Sequence, residues 1–189
     1  MAYGLKNFYS TATRYGFARD NLLRLESISG IAGDGKPLFP DSIKDLQLYL
    51  KTATLPSRSI TAGKVNYRSF TLNVPMEANY PENLAYAVTF YCDKWYIIKD
   101  ILERWSNATY NEHQFISSTN FNACNMSLLL LDNSNSNEVL SEMKQLKRYT
   151  LNGCFLTQIG QMAYDVSSKG IISTCTANLA FQYVTSENI

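Results

Sequence analysis

Leu84-Ala85-Tyr86-Ala87-Val88-Thr89-Phe90-Tyr91-Cys92-Asp93-Lys94-Trp95-Tyr96-Ile97-Ile98-Lys99-Asp100-Ile101-Leu102-Glu103-Arg104-Trp105-Ser106 changes its period once, and that change decides the fold class. Up to Cys92 the run is dense in aromatic and β-branched residues, the composition of a strand. Asp93 then offers a short carboxylate suited to capping helix amides. Beyond it Trp95, Ile98, Ile101, Leu102 and Trp105 recur three to four residues apart as one apolar stripe, while Lys94, Lys99, Asp100, Glu103 and Arg104 fall elsewhere. A helix is predicted over Asp93 to Ser106. Its Trp95, Ile98, Leu102 and Trp105 face packs on a sheet, and its polar face, with Lys99, Glu103 and Arg104, is left to meet a neighbour.

Upstream, alternation from Leu23 to Ile28 marks a half-buried strand. Gly30, Gly33, Gly35, Pro37 and Pro40 then make 30–41 an extended loop. Leu46 to Ala53 reads as a second strand ended near Pro56, followed by a polar loop from Pro56 to Lys64. Residues 64–74 alternate with Val65, Tyr67, Phe70, Leu72 and Val74, and the phase slips near Arg68-Ser69, where a bulge in one strand would account for it.

Downstream, Asn107 to Asn122 is polar and irregular in pattern. Met126 to Leu131 is a short strand closed by the turn-rich run Asp132 to Asn137. Val139, Leu140, Met143 and Leu146 fit a helix over 138–147, yet the strands around them admit a hairpin arm. Tyr149 to Leu151, Gln161 to Val166 and Cys175 to Val184 read as strands, with Ser167-Ser168-Lys169-Gly170 as a hairpin loop. The sum is a mainly antiparallel β domain with one helix.

The 189 residues suit one domain, 1–189, with 1–16 as an N-terminal arm. Charged residues are 17% of the chain, against about 25% in an average soluble domain. Thirteen tyrosines and abundant Asn, Ser and Thr take their place, a surface suited to cover by a partner. The net charge of +1 excludes the basic excess of a duplex-binding protein. It is unevenly spread, +5 over residues 1–68 and −4 over 69–189. No apolar run is long enough for a membrane span, and MAYGLKNFYSTATRYGF lacks the apolar core of a signal peptide, so the expected place is a cytoplasm. Cys92, Cys124, Cys154 and Cys175 lie apart, without CxxC spacing, and read as free thiols.

The motifs that hint at catalysis fail on chemistry. Gly30 to Lys36 has the spacing GxxxxGK, but Pro37 stands where a hydroxyl must reach magnesium and a helix must open. His113 is the only histidine and has no nucleophile motif beside it. Asp132 to Asn137 lacks the glycine and the distal glutamate of a calcium loop. The sequons at Asn107 and Asn125 lack a secretory context. No enzyme, metal or cofactor is expected.

Two stretches carry a family resemblance. Phe17-Ala18-Arg19-Asp20-Asn21-Leu22, followed by Ala53-Thr54-Leu55-Pro56, resembles the entry to the first strand and the close of the second in tail tube proteins of contractile-tailed bacteriophages. Leu151-Asn152-Gly153-Cys154-Phe155-Leu156-Thr157-Gln158-Ile159-Gly160 stands where that family has a glycine, an aromatic residue, a short loop and a further glycine, before a final strand with Leu179-Ala180-Phe181-Gln182-Tyr183. The resemblance runs from about residue 17 to 185.

It implies a β-sandwich or rolled barrel with one flanking helix, a fold shared with type VI secretion tubes. The implied function is structural: a virion protein of the phage tail, assembled in the host cytoplasm, whose hexameric rings stack head to tail inside a sheath. Implied partners are copies of itself, the sheath protein, and baseplate and terminator proteins, with DNA passing through the lumen unbound and no membrane involved. Arg58, Ser59, Ile60 and Lys64, after the second strand, become the expected contact between rings. The Lys99, Glu103 and Arg104 face becomes a candidate for the sheath. The strands 64–74 and 84–92 become candidates for the lumen wall, lined by Asn, Ser, Thr and Tyr. Two other readings share the pattern: a baseplate or tail-completion protein that initiates or caps the tube, and a monomeric β-sandwich binding module.

Overall fold

The computed structural model of the protein describes residues 22–30, 46–111, 116–117, 124–132, 144–162, 167, 170 and 172–189. The chain order is β1 (Leu23–Ser29), α1 (Leu46–Tyr49), β2 (Leu50–Thr52), β3 (Ser59–Tyr67), β4 (Phe70–Asn79), β5 (Tyr86–Tyr91), α2 (Ile97–Thr109), β6 (Tyr110–Asn111), β7 (Ile116–Ser117), β8 (Cys124–Leu131), β9 (Gln145–Ile159), β10 (Thr174–Ala180) and β11 (Tyr183–Asn188). It is mainly β and antiparallel, with α2 flanking the sheet. The N-terminal arm, Phe17 to Asn21, most of the 30–41 loop, His113, Asn133 to Asn137 and most of the ambiguous 138–147 segment lie outside the described residues.

A seven-stranded sheet runs β1-β8-β9-β10-β5-β2, with β11 also on β9. Strand β9 belongs to both halves. Its first part lies between β8 and β11, through pairs such as Ser127↔Thr150 and Ser186↔Tyr149, and its last part pairs with β10, Ala180↔Phe155 to Ala177↔Ile159. The crossing point is Gly153. The register slips there, Asn125↔Asn152 giving way to Cys124↔Cys154, and Gly153 takes φ 65° while its N–H donates to Asn125 Oδ1 at 3.1 Å. A bulge of this kind bends the strand and needs the left-handed backbone that glycine tolerates.

The core lies between α2 and this bent sheet. Ile98, Ile101, Leu102 and Trp105 meet Val88, Phe90, Met126, Leu128, Leu151, Cys154, Leu156, Cys175 and Leu179, and all are buried. A second bulge, at Glu26 in β1, aims that carboxylate at Arg148 of β9, which donates from Nε at 2.6 Å and from Nη2 at 2.7 Å. Arg148 also donates to Glu187 of β11 at 3.2 Å, so one guanidinium joins three strands.

Several expectations are corrected. Leu46 to Ala53 is not one strand: residues 46–49 form a helical turn before β2. The polar loop expected over Pro56 to Lys64 is strand from Ser59 onward, and the slip at Arg68-Ser69 is a hairpin turn, not a bulge. Helix α2 begins at Ile97, because Tyr96 sits at φ 56°, and runs on to Thr109. Trp95 therefore precedes the helix and is 73% exposed, not packed on the sheet. Asp93 still serves the helix start, accepting from Trp95 N at 2.9 Å and Ile98 N at 3.4 Å. Leu151 to Ile159 holds no loop, Gln161 and Met162 are not strand, and Cys175 to Val184 breaks at Phe181-Gln182 into β10 and β11.

Candidate functional site

The segment that stands apart from the core is the hairpin β3–β4, a two-stranded sheet of its own. Its turn is two residues long, Tyr67 opposite Phe70, and Arg68 supplies a left-handed φ of 53°. Positive φ in a two-residue turn matches the strand twist, which is why such turns close hairpins even without glycine. Alternation then sorts the side chains. Cross-strand neighbours share a face, so Tyr67 with Phe70, Val65 with Leu72, and Gly63 with Val74 make one apolar face. Asn66 with Thr71 and Lys64 with Asn73 make the other, where Thr71 Oγ1 donates to Asn66 Oδ1 at 2.9 Å.

The register slips once, between Thr61 and Ala62, leaving Met76 as an extra residue. Its thioether lies over Gly63: a Cβ there would sit 1.9 Å from Met76 Sδ. Met76 thus extends the apolar face across the gap that glycine leaves. On this face Tyr67 is 63%, Phe70 73%, Leu72 56% and Met76 73% exposed, and Val65 is also exposed. An isolated hairpin is marginal in water, and an apolar face left open marks an interaction surface.

Several contacts tie the root together and to the body. The buried Tyr86 hydroxyl donates to the Thr54 carbonyl, and burial pushes that phenol up to about 12. Ser57 Oγ reaches both oxygens of Glu82, at 2.6 and 2.7 Å, and this bond holds the Glu82 carboxyl below its ordinary value. Tyr80 packs edge-on against Phe181 with ring centroids 5.7 Å apart, and Phe181 N donates to the Asn83 carbonyl at 2.8 Å.

Of the residues expected to join rings, Arg58 precedes β3 and Ser59, Ile60 and Lys64 lie on it. Arg58, Ile60 and Lys64 are exposed, and Ile60 and Lys64 fall on the face opposite Tyr67 and Phe70. The helix residues Ile98, Leu102 and Trp105 are buried; Lys99 and Glu103 form an i,i+4 pair at 3.4 Å on the outer face, with Arg104 exposed beside them. Lys64 to Val74 is the tip of the hairpin rather than one strand of a wall, whereas 84–92 contains β5. The apolar hairpin face went unread because Arg68-Ser69 lacks turn glycine. The signal for it was there: two alternating runs separated by two residues.

Other chemistry is sparse. Among the described residues no three His, Cys, Asp or Glu side chains gather, and no helix is long and apolar enough to cross a membrane. Cys124 and Cys154 face each other across β8 and β9, and burial pushes their thiols up to about 11 and about 12.

Solved structures of similar fold include three from contractile injection systems. A chain of the anti-feeding prophage baseplate, six-fold symmetrised, matches with a TM-score of 0.58 at 13% identity, covering 90% of this chain and 95% of that one. The sheath/tube terminator structure of the extracellular contractile injection system PVC matches at 0.54 and 10% identity, covering 90% and 96%. The anti-feeding prophage tube-terminating cap matches at 0.51 and 14%, covering 92% of each. At such identities the likeness is one of fold. No curated protein matches by sequence. The family model described as phage tail tube protein matches residues 25–186, from within β1 to within β11, so the hairpin, the bent sheet and α2 all fall inside it: the chain belongs to the phage tail tube protein family.

Proposed function

We propose that the protein is a structural tail tube subunit whose rings stack head to tail inside a contractile sheath. The observation that carries this is the hairpin β3–β4, rooted firmly in the body yet presenting an open apolar face, within a chain of this family. Ring formation follows from the sheet. Among the described residues, strands β1, β2 and β11 end it, and the last part of β9 pairs with β10 alone. Such edges aggregate unless paired, and a closed ring of heterologous contacts pairs them. Six subunits per ring is the number implied by the family resemblance, and the baseplate of similar fold is six-fold symmetrised.

In this reading the Lys99, Glu103 and Arg104 face meets the sheath or a neighbouring subunit, and β5 contributes to a lumen wall of hydroxyls and amides. DNA passes without specific binding, because fixed positive charge repeated around each ring would retain it. The subunit works in the virion tail, is assembled in the host cytoplasm and has no catalytic role. Electron microscopy of the purified protein tests this: stacked rings or tubes support it, and only 21 kDa particles in light scattering at micromolar concentration overturn it. Short rings that refuse to elongate and bind one tube end identify instead an initiating or capping component, a role favoured by the likeness to the terminator and cap structures.

A further inference from the structure

We propose that Cys124 and Cys154 form an intramolecular disulfide site, a bridge from β8 to β9 that a peroxide closes and a dithiol reopens. The two residues are direct cross-strand partners in an antiparallel ladder. Such partners hold their Cα atoms about 4.5–5.5 Å apart, inside the roughly 4.4–6.8 Å that a disulfide spans. Both side chains lie in the core with Met126 and Leu151. The Cys154 sulfur already leans toward β8: Sγ donates to the Leu151 carbonyl at 3.2 Å and accepts from the Met126 N–H, two residues from Cys124 on the same buried face. The Cys124 sulfur accepts from the Trp105 indole N–H of α2. The remaining thiols give the contrast. Cys175 stands opposite Phe90, which puts Cys92 on the diagonal, about 7–8 Å away in ordinary sheet geometry and out of disulfide reach unless the backbone moves.

A peroxide supplies both oxidising equivalents. One thiolate attacks a peroxide oxygen, the O–O bond breaks, and the other oxygen takes up the thiol proton and leaves as water, so that the cysteine becomes a sulfenic acid. The partner sulfur then attacks that sulfur. The S–S bond forms, the S–O bond breaks, and the hydroxyl leaves with the second thiol proton as water. Burial holds both groups as thiols at neutral pH, so the reaction waits on opening of the strand and is slow in the folded chain. Cys124 is the first residue of β8, where fraying of the strand end exposes it. Once closed, the bridge pins β9 beside the Gly153 bulge, where its pairing passes from β8 to β10, and fixes the bend on which α2 packs.

Full-length protein treated with hydrogen peroxide, alkylated, and digested without reductant tests the site by mass spectrometry. A peptide pair linked through positions 124 and 154 is expected, with two of the four thiols lost to alkylation and both recovered by dithiothreitol. The double change Cys92→Ala with Cys175→Ala should keep the link, and Cys154→Ala should abolish it. The oxidised protein should melt several degrees above the reduced one, since the bridge closes the chain from Cys124 to Cys154. Unfolding the chain and refolding it in a glutathione redox buffer removes access as a barrier, and the same link should form there. Four free thiols after both treatments, oxidation of single cysteines without a link, or a link from Cys92 to Cys175 in preference would overturn the site. A linked protein that melts no higher than the reduced one would overturn the pinning of the bend.

Discussion

Helix α2 and hairpin β3–β4 are both amphipathic, with one apolar and one polar face, yet the chain treats them in opposite ways. The helix turns Ile98, Ile101, Leu102 and Trp105 into the core and leaves Lys99, Glu103 and Arg104 outside. The hairpin leaves Tyr67, Phe70, Leu72 and Met76 in water although its other face is polar. Burial of the first stabilises the subunit; burial of the second requires something beyond it. The same periodicity therefore builds the core in one place and leaves an open apolar face in the other, and only the three-dimensional surroundings tell them apart.

Trp105 is the most deeply buried residue of the α2 face, 1% exposed. Trp105→Ala should cost about 3–5 kcal/mol of folding free energy in denaturant titration, the usual cost of removing a large core aromatic. Tyr86→Phe should cost about 1–2 kcal/mol by leaving the Thr54 carbonyl without its donor. Burial of the same hydroxyl gives an alkaline signature. With the phenol raised from 10.0 to about 12, its contribution is whole below pH 10 and is lost as the pH rises through 12, a decline that Tyr86→Phe should not show in pH-dependent melting.

The paired change Phe70→Asp with Leu72→Asp should leave folding stability within about 0.5 kcal/mol while abolishing tubes in negative-stain micrographs, the reverse of Trp105→Ala. A large loss of stability instead would mean that the hairpin face belongs to the core. The smallest effect is expected at Glu82. Its lowered carboxyl stabilises the root above the ordinary value of 4.5 and stops doing so as the pH falls through its folded value. Hydrogen exchange at Ser59 to Ala62 should accelerate slightly in acid, and Glu82→Gln should remove that dependence.

Strand β1 was legible in the alternation of Leu23–Ile28, β5 and β8 in the aromatic, β-branched and apolar runs Leu84–Cys92 and Met126–Leu131, and α2 in its apolar stripe. Strand β9 was harder, because Lys147, Arg148, Thr150 and Asn152 dilute its pattern and Gly153 reads as a break when it is a bulge. The start of α2 was misplaced because a left-handed Tyr96 has no signature in residue type, and Trp95 continues the stripe in sequence but not in space. A polar loop was expected over Pro56 to Lys64 where β3 begins, and the apolar face of the hairpin was not read. Periodicity reports that a face wants cover, and is silent on whether the same chain supplies it.

The hairpin also differs from the rest of the sheet in when it can form. Its pairs are local, Tyr67↔Phe70 at the turn and Ser59↔Asn79 at the base, whereas β1 must find β8 across more than a hundred residues, as in Leu23↔Leu130. Hairpins close in about 1–10 μs, and pairings of such separation are far slower. The open apolar face is therefore present on chains whose body is still open, and during that interval burial cannot protect it. Protection falls to features that spoil the strand as a template: Pro75 without an N–H, the Met76 bulge, and the charges of Lys64 and Arg68.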